Sequence, residues 1–83
     1  MKGCRLYRRD DGSPNGGVVY GIEIDVYRGC YRAYYDSDGN MIDAEDVAYQ
    51  VGKSIKRGSK LWDAIKVHSR LMFARCHANN VDA

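Results

Sequence analysis

The stretch from Val18 to Val26 constrains this chain's fold more than any other. Val18, Tyr20, Ile22, Ile24 and Val26 are apolar at every second position, with Glu23 and Asp25 between them. On a helix, at 100° per residue, those side chains would scatter around the axis; on an extended strand they share one face. The segment therefore predicts a half-buried strand. A hairpin closed through Arg28-Gly29 makes the next run consistent with it. That pairing sets Tyr27 opposite Cys30, Val26 opposite Tyr31, Asp25 opposite Arg32, Ile24 opposite Ala33 and Ile22 opposite Tyr35. Apolar then meets apolar on one face and acid meets base on the other. Residues 4–9 predict a third strand, with Cys4 and Leu6 inward and Arg5, Tyr7 and Arg9 outward. Between the strands, Asp10 to Gly17 (DDGSPNGG) collects turn residues and predicts a mobile loop.

The second half changes period. Asp43 is a good helix N-cap, Glu45 and Asp46 suit the positive end of a helix dipole, and Ala44, Val47, Ala48, Val51 and Ile55 recur at helical spacing. Gly52 weakens that helix, and Arg57-Gly58 marks its end. Ser59 caps a second helix, in which Leu61, Ala64, Ile65, His68, Leu71 and Met72 form the inner stripe and Asn79-Asn80 the stop. A strand from Val67 to Phe73 is the alternative, but its alternation fails at Ser69. The expected architecture is α+β: a small antiparallel sheet over residues 1–40, then two helices over 41–83 packed on one face. At 83 residues the chain supports one compact domain.

Composition excludes several classes. With 45% hydrophobic and 29% charged residues, the chain has the makeup of a globular protein rather than a disordered one. A net charge of +2 is too balanced to mark a nucleic-acid binder or a DNA mimic by charge alone. The longest wholly apolar run is Leu71-Met72-Phe73-Ala74, so no membrane span is expected. Residues 1–20 carry Arg5, Arg8, Arg9, Asp10 and Asp11, which leaves no apolar stretch of the roughly 7–15 residues a secretory signal uses. Three cysteines are an odd count, which argues against a closed disulfide framework. Unpaired thiols without an export signal predict a cytoplasmic protein.

The motifs of catalysis are missing: no G-x-S-x-G, H-E-x-x-H, Walker loop or G-x-G-x-x-G occurs. His68 and His77, on one helix, would stand about 13 Å apart along its axis. His68 falls on the apolar stripe, where a hydrogen-bonded core histidine is expected. No enzyme is predicted. A metal site could be drawn only from Cys4, Cys30, Cys76 and His77, without the paired ligand spacing that structural zinc uses. Asp36-Ser37-Asp38-Gly39-Asn40 begins like a calcium loop, but Met41 stands where the sharp-turn glycine belongs and Val47 where the bidentate Glu belongs. An Asx-type turn leading into the Asp43 cap explains the same letters. No metal or cofactor is expected.

The tyrosines carry the strongest hint of a site. Seven Tyr stand beside one Phe and one Trp, although a dry core would use Phe as readily. Tyr20, Tyr31 and Tyr35 fall on the core face of the expected sheet. Tyr7, Tyr27 and Tyr34 fall on the outer face, interleaved with Arg5, Arg9 and Arg32, and Tyr and Arg are enriched at binding hot spots. The expectation is a non-catalytic binding module, a regulator or inhibitor that occupies a surface of a larger protein or ribonucleoprotein. Small chains of this kind include phage-encoded blockers of host defence.

The alternative is a DNA- or RNA-binding module using those arginines and a basic helical half, with Lys53, Lys56, Arg57, Lys60, Lys66 and Arg70 as contacts. Glu23 and Asp25, central on the sheet face, would repel phosphate. The run Cys30-Tyr31-Arg32-Ala33-Tyr34-Tyr35-Asp36-Ser37-Asp38-Gly39 resembles the arm-type DNA-binding domain of phage integrases. That domain uses a three-stranded sheet and a helix, with an aromatic-basic strand running into a D-x-D-G turn. The likeness covers ten residues and implies DNA binding. It also calls for a strand after Gly39, for which Asn40-Met41-Ile42 is too short ahead of an Asp43 cap.

Overall fold

Six elements follow one another in the computed structural model, which describes residues 4–8, 18–48 and 52–81. They are β1 (Cys4–Arg8), β2 (Val18–Val26), β3 (Gly29–Tyr35), β4 (Met41–Asp46), the two-residue β5 (Lys53–Ser54) and α1 (Lys60–Val81). The sheet keeps chain order, β1-β2-β3-β4-β5, and every neighbouring pair is antiparallel. α1 lies across one face. The α+β class and the third strand, β1, are as the sequence predicts; Asp10 to Gly17 and Arg9 lie outside the described residues.

The hairpin closes one step earlier than Arg28-Gly29. Val26 pairs with Gly29, so the turn is Tyr27-Arg28, and the register runs Ile24 to Tyr31, Glu23 to Arg32, Ile22 to Ala33 and Tyr20 to Tyr35. Each partner moves by two residues, which keeps every side chain on its expected face. Tyr27, not a glycine, takes the positive φ, 55°. Gly29 has a different use: a Cβ there would meet Tyr31 Oη at 2.5 Å and two of its ring carbons at 2.7 Å. The Tyr31 ring lies across Gly29, and a larger residue there would push its hydroxyl end aside.

The helix expected from Asp43 to Arg57 does not form. Asp43 to Asp46 belong to β4 and Lys53-Ser54 to β5, while Val51 of the expected stripe lies outside the described residues; Asp43 is a strand residue whose Oδ1 accepts from the amide of Ala44 at 2.8 Å. Tyr34 pairs with Asp43 but Tyr35 with Met41, leaving Ile42 as the extra residue of a bulge. The bulge puts Met41 and Ala44, three apart, both into the core. Gly52, already awkward in a helix, has φ 84° and turns the chain into β5.

α1 starts as predicted. Ser59 Oγ accepts from the amide of Trp62 at 3.1 Å, and Ser59 O from the amide of Asp63 at 3.0 Å. The helix runs to Val81, past the Asn79-Asn80 stop. Its buried line is Trp62, Ile65, Ser69 and Cys76, flanked by half-buried Leu61, Ala64, Met72 and Phe73. His68 and Leu71, both assigned to the inner stripe, are exposed. Trp62 accounts for the rotation: it is the largest apolar side chain on α1, and its burial outweighs that of Leu71. The Arg57 guanidinium caps its ring at 4.8 Å and donates to Ile42 O at 2.8 Å, tying the helix entry to the bulge.

Tyr20, Ile22, Ile24 and Val26 of β2, Ala33 and Tyr35 of β3, and Met41 and Ala44 of β4 complete the core. Phe73 stacks on Tyr35 at 4.6 Å and meets Tyr20 edge-on at 5.4 Å, with His77 5.5 Å from the rings of both Phe73 and Tyr20. Beside this cluster Cys4 and Cys76 form a disulfide with Cα atoms 6.2 Å apart, joining the edge strand β1 to the last turns of α1 across 72 residues. The odd cysteine count misled here, because only Cys30 stands outside the bond. The expectation of a cytoplasmic protein rested in part on unpaired thiols, and the bond removes that support.

Candidate functional site

The face of the sheet away from α1 carries an ordered polar cluster. Strand parity places Glu23 of β2, Arg32 of β3 and Glu45 of β4 in one row across three strands, since Glu23 pairs with Arg32 and Arg32 with Glu45. Arg32 Nη2 donates to Glu23 Oε1, and Nη1 lies 3.3 Å from Glu45 Oε1 and 3.4 Å from Tyr34 Oη. The Tyr34 hydroxyl in turn donates to Glu45 Oε1. Burial pushes the Tyr34 phenol above its ordinary value of 10.0; Arg32 opposes the shift and Glu45 adds to it. Tyr34 thus stays protonated at neutral pH and works as a donor, not a nucleophile. One guanidinium between two carboxylates leaves the row net acidic, and with roughly a quarter of each side chain exposed every ion pair contributes at most about 1 kcal/mol.

The partner-binding residues expected from sequence do not all meet there. Arg32 and Tyr34 are half-buried members of the cluster. Arg5 and Tyr7 occupy register positions opposite Gly21 and Val19, but their side chains lie outside what the structure describes. Tyr27 stands apart at the hairpin tip, 79% exposed, next to exposed Arg28. Glu45 and Asp43, which sharpen the acidity of this face, were hidden by the helical reading of their segment. Gly52 was the available signal.

The basic residues of the alternative reading are dispersed. Lys53 sits in β5 opposite Asp46 and Lys56 is exposed in the link to α1. Arg57 is held by Trp62 and Ile42 O. Lys60, Lys66 and Arg70 are exposed along α1. The Asx turn is formed: Asp36 Oδ1 accepts from the amides of Asp38 and Asn40, each at 2.9 Å. Cys4 and Cys76, two of the four candidate zinc ligands, are bonded to each other. Among the described residues no three His, Cys, Asp or Glu side chains converge on a possible metal position. No helix among them is long and apolar enough to cross a membrane. Compared with protein-family models, curated proteins and solved structures, the chain matches none.

Proposed function

We propose that this chain is a non-catalytic binding module, a regulator or inhibitor that occupies a surface of a larger protein or ribonucleoprotein through its hairpin tip and outer sheet face. The observation that carries this reading is Tyr27. A tyrosine at φ 55°, in a turn position that favours Gly or Asn, is left 79% exposed. So exposed a ring adds little to the core, whereas an exposed aromatic at a hairpin tip suits a pocket on a partner. The acidic row of Glu23, Arg32 and Glu45 on the outer sheet face favours a protein surface over a polyanion.

One observation favours the second reading. β4 supplies the strand after Gly39 that the integrase-type resemblance calls for, so β2, β3, β4 and α1 have the expected order of three strands and a helix. The contact residue that this reading needs on β3, Arg32, is neutralised from both sides. Immobilised wild-type and Tyr27→Ala proteins, with both bound protein and bound nucleic acid identified, decide between the two. A protein retained by wild type and lost by Tyr27→Ala supports the module. Nucleic acid retained equally by both at physiological salt supports the alternative.

A further inference from the structure

Among the described residues, the large apolar side chains left mostly exposed are Tyr27, Val67 at 64% and Leu71 at 63%. The last two belong to one stripe of α1. Val67, Leu71, Ala74 and Ala78 follow at spacings of four, three and four residues, and all are exposed. At 100° per residue they fall within about 60° of one another, on the side opposite Trp62, Ser69 and Cys76. A helix that covers one sheet needs one apolar stripe, and α1 carries two. The four-three-four spacing is that of a helix–helix seam, and its two alanines let a partner helix come close.

The borders of this stripe are basic. Lys60 continues its line towards the helix start, Lys66 and Arg70 flank one side and Arg75 the other, with Asp63 the one acid from 60 to 78. All five are exposed. We propose that this stripe docks an acidic amphipathic helix of a partner protein, at a surface separate from the hairpin tip. Charge selects this occupant over a second copy. Parallel pairing of two copies would set Arg70 of one against Arg75 of the other, and antiparallel pairing would lay the basic flank against itself. An acidic helix with leucines at seam spacing buries Val67 and Leu71 and pairs with Arg70 and Arg75 together. The seam spans about 17 Å, so the contact is a short one and its affinity modest.

The test uses a synthetic peptide with Leu at seam positions and Glu beside them, which is weakly helical alone because its glutamates repel. Wild-type protein should bind it and raise its helicity by circular dichroism, with affinity falling as salt rises. Leu71→Asp should weaken binding roughly ten- to a hundred-fold. Arg70→Glu/Arg75→Glu should lose the acidic peptide and gain a version with Lys in place of Glu. Both variants alter exposed positions, and unchanged thermal unfolding checks that they fold. Equal binding of the acidic and lysine peptides to wild type overturns the proposal, as does acidic-peptide binding indifferent to Leu71→Asp. A wild-type dimer dissolved by Leu71→Asp, or binding to phosphatidylserine vesicles with none to the peptide, overturns it as well.

Discussion

The hydroxyl of Tyr35 lies 2.7 Å from Oγ of Ser69, and both side chains are almost wholly buried between sheet and helix. The same hydroxyl is 3.4 Å from Lys66 O, and Ser69 Oγ is 3.5 Å from that carbonyl. A serine on the buried line of α1 is thereby satisfied, and the bond fixes the helix's rotation over β3. Tyr35→Phe and Ser69→Ala should each cost about 1–3 kcal/mol, because each leaves a buried hydroxyl without its partner. The double variant should cost clearly less than the sum of the two. Urea unfolding of the four proteins measures this, and strict additivity would show that the bond carries no stability.

Alkaline pH should act through the same residue. Burial raises the Tyr35 phenol above 10.0, against a smaller opposing effect of the Ser69 bond. In the unfolded chain the phenol loses its proton near pH 10, while the folded form holds it longer. The stabilisation from the neutral buried phenol is therefore complete below about pH 10 and lost as pH rises through the raised folded value. The stability gap between wild type and Tyr35→Phe should be constant from pH 7 to 9 and shrink above 10. A gap that widens there contradicts the sign.

The Cys4–Cys76 disulfide closes nearly the whole chain into a loop. In the chain-entropy model, a bond between residues 72 apart stabilises by about 4 kcal/mol. Reduction, or Cys76→Ser, should lower the unfolding midpoint by a large margin. Cys30→Ser should leave the reduction response intact. Mass spectrometry of the non-reduced protein checks the pairing directly, and a Cys30-containing bridge would refute it.

Tyr27 offers a test that separates folding from function. Tyr27→Gly relieves an αL penalty of roughly 1–2 kcal/mol and adds glycine's entropic cost of roughly 0.5–1 kcal/mol, so stability should hold or rise, by about 0–1.5 kcal/mol. Partner binding at the hairpin tip should weaken by about 1–3 kcal/mol. Ile24→Ala, which empties core volume, should instead cost roughly 2–5 kcal/mol of stability. Lys66→Ala should leave hairpin-tip binding unchanged. If Tyr27→Gly binds as tightly as wild type, the tip is not the working surface.

Local chemistry wrote several parts of this molecule legibly. The alternation of Val18 to Val26 determined which side chains of β2 face inward, and because the observed register differs from the expected one by two residues, Arg32 and Tyr34 kept the outer face. Ser59 marked the start of α1, and Asp36 to Asn40 marked an Asx turn. Each depends on neighbours within a few residues, so one-dimensional spacing suffices. Four other features were decided only in three dimensions. The pairing of β2 with β3 set the hairpin turn at Tyr27-Arg28. The pairing of β4 with β3 overrode the helical spacing of Ala44, Val47 and Ala48 and set Glu45 beside Arg32. The pairing of Cys4 with Cys76 required β1 and the end of α1 to meet. Burial of Trp62 and the Tyr35–Ser69 bond turned the helix so that His68 and Leu71 faced outward. Those outcomes depend on contacts between residues far apart in the chain, whose energies exceed the local preferences they override.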